Sequence, residues 1–173
     1  MPNNKIIVIL GKCCAGKDTL ARFMAKNMGF KFVVSTTSRP MRKGESEGYP
    51  YHFIDEKEFK RKIANCDFIE YREYKTNSGN WHYGVEKSVV IDNECYVAVL
   101  DMVGLREFKK QFGDRVFSIY LVASPLERKI RCIHRGDFNI DEWYRREKSD
   151  SLMFTDKALK EIDVITHNLN LYK

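Results

Sequence analysis

A glycine-rich turn near the start of the chain carries the clearest chemical signal in the sequence. Gly11 and Gly16 enclose four residues, and Lys17 follows directly. This is the spacing of a loop whose backbone N–H groups cradle a phosphate. An apolar run at 6–10 precedes the turn and a stretch with helical spacing at 20–25 follows it, as such a loop requires. The turn predicts binding of a nucleoside triphosphate, but it does not identify what receives a phosphate.

The positions of this loop define a first set of candidate binding residues. Lys17 supplies a point charge for the β- and γ-phosphates, aided by the positive end of the following helix. Asp18 occupies the position where Ser or Thr usually follows the lysine, and a hydroxyl group comes one residue later at Thr19. The residues predicted to bind the triphosphate are Gly11, Ala15, Gly16, Lys17, Asp18 and Thr19.

Length and composition indicate one ordinary globular domain. The chain has 173 residues, of which 43% are hydrophobic and 31% charged, and its net charge is +6. The basic residues cluster at 39–43, 57–62 and 128–146 without a run of five, which favours pockets for small polyphosphates over nucleic-acid binding. The longest apolar runs have strand length, and the first residues lack a signal-peptide pattern. We therefore expect a cytoplasmic protein without contact to membranes, whose five cysteines are reduced thiols.

A second stretch of chemical interest follows the short strand predicted at 32–34. Residues 35–45 are rich in hydroxyl groups and basic side chains and contain both Pro and Gly, so they are predicted to form a loop. Arg39 and Arg42 are three positions apart and could converge on one dianion, because a guanidinium contacts two phosphate oxygens at once. Either arginine alone would be interpreted as a solvated surface residue.

The remaining pattern predicts an α/β fold with an insertion. Strands are expected at 6–10, 32–34, 51–54, 68–74, 95–100, 116–122 and 163–166, and helices at 56–63, 103–112 and 125–133 and from Asp141. Residues 35–92 are predicted to form a small, mostly β subdomain inserted into a core of residues 1–34 and 93–173. Alternating strands and helices in the core indicate a parallel sheet with helices on both faces.

These segments together resemble the guanylate kinase family over nearly the whole chain. The most specific piece is 35–45, STTSRPMRKGE, which is similar to the family's S-x-T-T-R-x-x-R-x-G-E. The segments 51–53, 68–70, 83–84 and 135–136 follow in the family's order. The resemblance implies a P-loop-type sheet with a monophosphate-binding insertion and a short lid at about 134–140. It also implies transfer of a phosphoryl group from ATP, with Mg²⁺, to GMP or dGMP.

The resemblance further implies roles for individual side chains. The catalytic residues would be Lys17, Arg131, Arg135 and Arg146. The acceptor nucleotide would be bound by Ser35, Arg39, Arg42, Tyr51, Glu70, Tyr83 and Asp101. Glu70, which alone would be interpreted as a surface carboxylate, would accept hydrogen bonds from the guanine N1–H and amino groups. Mg²⁺ would lie at Thr19 or at Asp18, which could hold a metal-bound water.

Departures from the family pattern leave other functions open. Val85 stands where a base-contacting Ser or Thr is usual, and Val99 replaces an acidic residue, so apolar groups are expected in the base pocket. A kinase with a broader set of deoxynucleoside monophosphate acceptors is one alternative. A non-catalytic guanylate-kinase-like interaction module is another, although Lys17 and the lid arginines argue against it. A nucleic-acid-binding protein is a further alternative, and its only support is the positive net charge. A monomer or a homodimer is expected.

Overall fold

The computed structural model describes residues 4–42, 44–76, 78–89, 94–136 and 138–167, which form two five-stranded sheets, six α-helices and two short 3-10 helices at Lys87–Val89 and Gly113–Arg115. The first sheet contains β1 (Ile6–Leu10), β2 (Lys31–Phe32), β8 (Tyr96–Val99), β9 (Val116–Val122) and β10 (Val164–His167). The second contains β3 (Ser35–Thr37), β4 (Ser46–Glu47), β5 (Pro50–Phe53), β6 (Phe68–Thr76) and β7 (Gly79–Glu86). The helices are α1 (Lys17–Asn27), α2 (Glu56–Ala64), α3 (Met102–Phe112), α4 (Pro125–His134), α5 (Ile140–Met153) and α6 (Asp156–Leu159).

The first sheet is wholly parallel and places the phosphate loop at its centre. Its strand order is β10-β9-β1-β8-β2, so β1 is flanked on both sides. Four of its five residues, Ile6, Val8, Ile9 and Leu10, are completely buried because helices cover both faces. Parallel strands end at the same edge, which brings the loop after β1 beside Asp101 after β8. The predicted fold class is confirmed.

The second sheet is built entirely from strands between Ser35 and Glu86. Its longest element is the antiparallel hairpin of β6 and β7. A register shift between Phe68 and Glu70 buries three consecutive residues at the start of β6. From Glu70 onward the strand alternates, with every second side chain facing a cleft between the sheets. The strand predicted at 68–74 is therefore half-exposed only beyond the irregularity.

Local signals set most of the helix boundaries. Ser124 and Glu127 form a reciprocal capping box at the start of α4, and the Asp55 carboxylate accepts a hydrogen bond from the Glu58 N–H at the start of α2. The helix predicted from Asp141 begins one residue earlier, because Asn139 caps it. None of the helices in the described ranges is long and apolar enough to cross a membrane.

The predicted strand at 32–34 and the start of the predicted loop at 35–45 differ from the structure. The strand lies at Lys31–Phe32, and the chain then crosses to the second sheet. There Ser35–Thr37 form β3 rather than a loop, because they pair with β5 and β7. The Val33 N–H still donates to the Val97 carbonyl over 2.9 Å, which is the last link to the first sheet. Lys43 of the basic loop and Asp137 of the predicted lid lie outside the described residues, as do 90–93 and 168–173.

Candidate active site

A cleft of about 940 Å³ lies where the phosphate loop, the second sheet and α5 meet. Its volume is that of a small-molecule site. Twelve of the predicted site residues line it: Gly11, Lys17, Asp18, Ser35, Arg39, Arg42, Tyr51, Glu70, Tyr83, Asp101, Arg135 and Arg146. The other four, Ala15, Gly16, Thr19 and Arg131, are not among its lining residues. The structure therefore gathers residues from distant parts of the sequence around one space.

The phosphate loop is tightly turned, and its two glycines are necessary. A Cβ on Gly11 would lie 2.8 Å from the Leu121 carbonyl oxygen, which no side chain tolerates. Gly16 adopts a left-handed conformation with φ of 99° immediately before α1. The Lys17 ammonium donates to the carbonyl oxygens of Gly11 at 2.8 Å and Lys12 at 3.0 Å. The lysine head is thus held over the loop by its backbone.

Helix α5 contacts this loop at two points on Cys13. The Cys13 N–H donates to the Asp150 carboxylate over 2.6 Å, and burial raises the pKa of that carboxyl group. The Arg146 guanidinium lies 3.3 Å from Cys13 Sγ. Sequence patterns did not indicate Asp150, because its partner lies 137 positions away in the chain.

Two adjacent thiols in the loop have opposite acid–base properties. Cys13 and Cys14 have Sγ atoms 3.7 Å apart. A hydrogen bond from Cys14, followed by the charge of Arg146, lowers the pKa of Cys13 to about 5 despite its burial. The same hydrogen bond raises the pKa of Cys14. The neighbouring thiol and the charge of Arg146 therefore favour the thiolate form of Cys13, which its position in the sequence did not suggest.

Arg131 contacts the loop although it is not among the lining residues of the cleft. Its Nη1 donates to the Ala15 carbonyl over 3.1 Å, so this residue of α4 supports the loop backbone. Arg135 follows the last residue of the same helix and lines the cleft together with Gly136. Arg145, which the sequence analysis did not select, lines it as well.

Arg39 is held in place before any ligand arrives. Its side chain is buried and pairs with both oxygens of Glu45, at 2.8 and 2.6 Å. Its guanidinium carbon lies 5.1 Å from the centre of the Tyr51 ring. Glu45 also accepts from the Arg42 N–H at 2.8 Å, which fixes the turn between the two arginines. The Arg39 Nε is buried and makes no hydrogen bond.

Glu70 is a buried carboxyl group rather than a surface one. Its exposed fraction is 9%. Burial, reinforced by the nearby charge of Asp101, raises the pKa of Glu70 to about 7, although Arg72 and the Val85 backbone oppose the change. Gly104 in the first turn of α3 lies beside this group, and a Cβ there would be 3.5 Å from the Glu70 carboxyl group, which is an ordinary contact distance.

Asp101 organises the cleft beside Glu70. Its Oδ1 accepts from the N–H groups of Val103 and Gly104 and thereby caps α3. Its Oδ2 accepts from the Tyr74 hydroxyl at 2.7 Å. Tyr74 and Arg72 line the cleft although the sequence analysis did not name them. Alternation from Glu70 along β6 was the signal that could have found both.

The two valines that depart from the family pattern occupy different environments. Val99 lines the cleft, as expected. Val85 is fully buried opposite Glu70 in the β6–β7 pairing and is not among the lining residues. Of these two valines, only Val99 therefore adds apolar surface to the cleft.

A central parallel strand, a glycine loop and a lysine at the next helix start define an α/β protein of the phosphate-loop class. The family model described as guanylate kinase matches residues 3–168. The guanylate kinase of Clostridium tetani is 33% identical over 171 residues, covering 96% of this chain and 76% of that protein. The guanylate kinase of Clostridium acetobutylicum is 36% identical over 166 residues, covering 93% and 73%. The crystal structure of guanylate kinase from Anaplasma phagocytophilum matches with a TM-score of 0.67 at 25% identity, covering 96% of this chain and 78% of that one.

The chain therefore belongs to the guanylate kinase family. The predicted family and class of enzyme, an ATP-dependent nucleoside monophosphate kinase, are confirmed. A gluconokinase from Sinorhizobium meliloti, at 14% identity and a TM-score of 0.55, shares the fold alone.

Proposed function

We propose that the protein transfers the γ-phosphoryl group of ATP to GMP or dGMP, which gives GDP or dGDP. One observation carries the proposal: a single cleft is lined both by the lysine of a phosphate loop and by a buried carboxyl group, Glu70, that can accept from guanine. Guanine presents N1–H and amino donors side by side, whereas adenine presents an unprotonated N1. Glu70 is therefore complementary to guanine and mismatched to adenine.

Positioning and charge neutralisation account for the proposed transfer. Phosphoryl transfer needs little covalent help from protein groups. Lys17, Arg135 and Arg146 bring three positive charges to the cleft, where they would stabilise the negative charge on the transferring group. Arg131 supports the loop through Ala15 and acts as a positioning residue. The segment at about 134–140 would close over the cleft and exclude water, which is a competing acceptor.

The acceptor's phosphate would meet a preformed group of donors. Arg39 is already fixed by Glu45, so little conformational entropy is lost when it binds a phosphate oxygen. The other proposed phosphate contacts are Arg42, Tyr51 and Tyr83, and Ser35 would contact the base. The strands of 35–92 would thus form the monophosphate-binding subdomain of the enzyme.

Mg²⁺ fits the carboxylate that follows Lys17. Mg²⁺ is usually bound by one or two carboxylates together with phosphate oxygens and water. Asp18 lines the cleft and supplies one carboxylate, whereas Thr19 is not among its lining residues. We therefore favour Asp18 over Thr19 as the residue that holds the ion. When bound, Mg²⁺ would supply positive charge to the ATP phosphates.

The proposal also covers the setting in which the enzyme works. We place it in the cytoplasm as a monomer or homodimer that acts on free nucleotides rather than on nucleic acid. Val99 in the cleft is the observation that favours the second candidate, a kinase with a broader range of monophosphate acceptors.

A panel of nucleoside monophosphates tests the proposal. Turnover with ATP is measured for GMP, dGMP, AMP, CMP, UMP and dTMP, and we expect kcat/KM to be about a hundredfold higher for the guanine nucleotides. The variant Lys17→Ala should lose activity with every acceptor while remaining folded, and Lys26→Ala, at the far end of the same helix, serves as its control. Equal turnover of GMP and AMP would contradict the guanine assignment and favour the broader kinase.

A further inference from the structure

Strand β6 presents a row of polar side chains to the cleft, and Arg72 lies within it. Glu70, Arg72, Tyr74 and Thr76 occupy alternate positions of the strand, and all four line the cleft. Arg72 is therefore flanked on the same face by the carboxyl group of Glu70 and the ring of Tyr74. Only 25% of its side chain is exposed.

The Arg72 guanidinium has unused hydrogen-bonding capacity. Its Nη1 donates to the carbonyl oxygen of Tyr71. Its Nε lies 3.6 Å from Asp101 Oδ2, which is attraction between charges but too long for a hydrogen bond. Both Nε and Nη2 are buried and make no hydrogen bond. A buried donor without an acceptor costs about 1–3 kcal/mol, so such groups are uncommon unless a ligand uses them.

The residues around Arg72 contact its guanidinium group but do not accept hydrogen bonds from its Nε and Nη2. Asp101 Oδ2 already accepts from the Tyr74 hydroxyl, and Oδ1 is used by the N-terminus of α3. The charge of Arg72 also counteracts the rise in the pKa of Glu70. Along the face of β6 that lines the cleft, the hydrogen-bond acceptor Glu70 is thus followed by the hydrogen-bond donor Arg72.

We infer that Arg72 recognises the O6 and N7 edge of a guanine base whose N1–H and amino group are bound by Glu70. The inference rests on the proposed function and identifies a second residue for base selection. Side chains two positions apart on a strand start about 7 Å from each other, which is comparable to the length of a purine. Guanine presents two donors and then two acceptors along that length, and arginine pairs with O6 and N7 through two nitrogens. Adenine carries a donor where guanine carries O6, so it opposes Arg72 as well as Glu70.

Base analogues combined with substitutions of Arg72 test this contact. The acceptors are GMP, 6-thio-GMP, whose sulfur is a poor acceptor, and 7-deaza-GMP, which lacks N7. We expect the wild-type enzyme to show kcat/KM at least about tenfold lower with each analogue, the loss expected for a hydrogen bond to a charged donor. Arg72→Met keeps the side-chain volume and should reduce kcat/KM for GMP about 10- to 100-fold while bringing all three acceptors within about twofold of one another. Lys75→Met, on the exposed face of the same strand, is the control and should retain the wild-type ratios.

A second variant keeps the test decisive if Arg72→Met fails to fold. Arg72→Lys retains the charge but loses the fork, so it should still discriminate against one analogue while losing discrimination against the other. An equal loss for GMP and both analogues in Arg72→Met, or a wild-type enzyme that discriminates against neither analogue, would overturn the inference. A wild-type enzyme that prefers another base over GMP would instead refute the proposed function, so the two failures are distinguishable.

Discussion

Replacing Glu70 by glutamine is expected to stabilise the protein at neutral and alkaline pH. Burial and the charge of Asp101 raise the pKa of this carboxyl group from 4.5 to about 7. A glutamine of nearly the same shape carries no charge that must be buried. The substitution should therefore increase the free energy of unfolding while it removes part of the proposed contact with guanine.

The size and pH dependence of the effect follow from the two pKa values. Below pH 4.5 the carboxyl group is protonated in both the unfolded and the folded chain, so the substitution changes little. Between the two values the unfolded chain releases its proton while the folded chain keeps it, so wild-type stability falls as the pH rises. Above about 7 the folded chain contains a buried carboxylate, and the accumulated loss is at most about 3 kcal/mol. Because the protein relaxes around the buried carboxylate, we expect the loss in the free energy of unfolding to be about 2 kcal/mol.

Urea denaturation without nucleotides measures this difference. Unfolding curves of the wild-type protein and Glu70→Gln are compared from pH 5 to pH 8, and the gap between their free energies of unfolding should widen as the pH rises. Glu73→Gln, on the exposed face of the same strand, is the matched control and should follow the wild-type protein. A gap that is constant with pH, or a variant less stable than the wild-type protein at pH 8, would refute the conclusion that the ionised, buried Glu70 carboxylate destabilises the fold.

Three further predictions concern other parts of the molecule. Arg39→Lys should raise the KM for the acceptor by tenfold or more and the KM for ATP much less, because lysine keeps the charge but cannot make the two-nitrogen contact with Glu45 that fixes the side chain; equal changes in both would contradict a role at the acceptor. Iodoacetamide at pH 7 should modify the Cys13 thiolate, whose pKa is about 5, faster than the exposed Cys66, and ATP should slow the reaction. Peptide mass spectrometry reads both rates, and labelling of Cys13 that ATP leaves unchanged would argue against nucleotide in this cleft. Glu147→Gln should lower the free energy of unfolding by about 3 kcal/mol in denaturant titrations, since it leaves the buried Arg128 charge uncompensated; a loss below about 1 kcal/mol would contradict this.

Features that depend on neighbouring residues were predictable from the sequence. The loop at Gly11–Lys17 combines a buried strand, two glycines and a helix start within a short stretch, and each signal is local. The same holds for the caps at Ser124 and Asp55. The role of segment 35–45 in binding the acceptor was predicted from its resemblance to a family, because Arg39 alone would have been interpreted as a surface arginine.

Features that depend on distant packing were not predictable. The burial of Glu70 brings it beside Gly104 of α3, a helix that comes later in the chain. The contact of Asp150 with the loop joins residues 137 positions apart, and no periodicity encodes it. Arg72 is an intermediate case, because the alternation of β6 could have placed it on the face of Glu70 but gives no reason to think that its nitrogens lack partners.

Through the hydrogen bond between the Cys13 N–H and Asp150, α5 would compete with a nucleotide phosphate for the phosphate loop. A carboxylate and a phosphate oxygen are both anions that accept from backbone N–H groups, so a nucleotide phosphate that binds this N–H must displace or share Asp150. The apparent affinity for ATP would then be the intrinsic affinity of the loop reduced by the free energy of releasing the carboxylate. Substitutions that shift α5, such as those of its buried ion pair with α4, would alter nucleotide affinity without touching the nucleotide. The helix thus offers a means of tuning substrate affinity that leaves the chemical groups of the cleft unchanged.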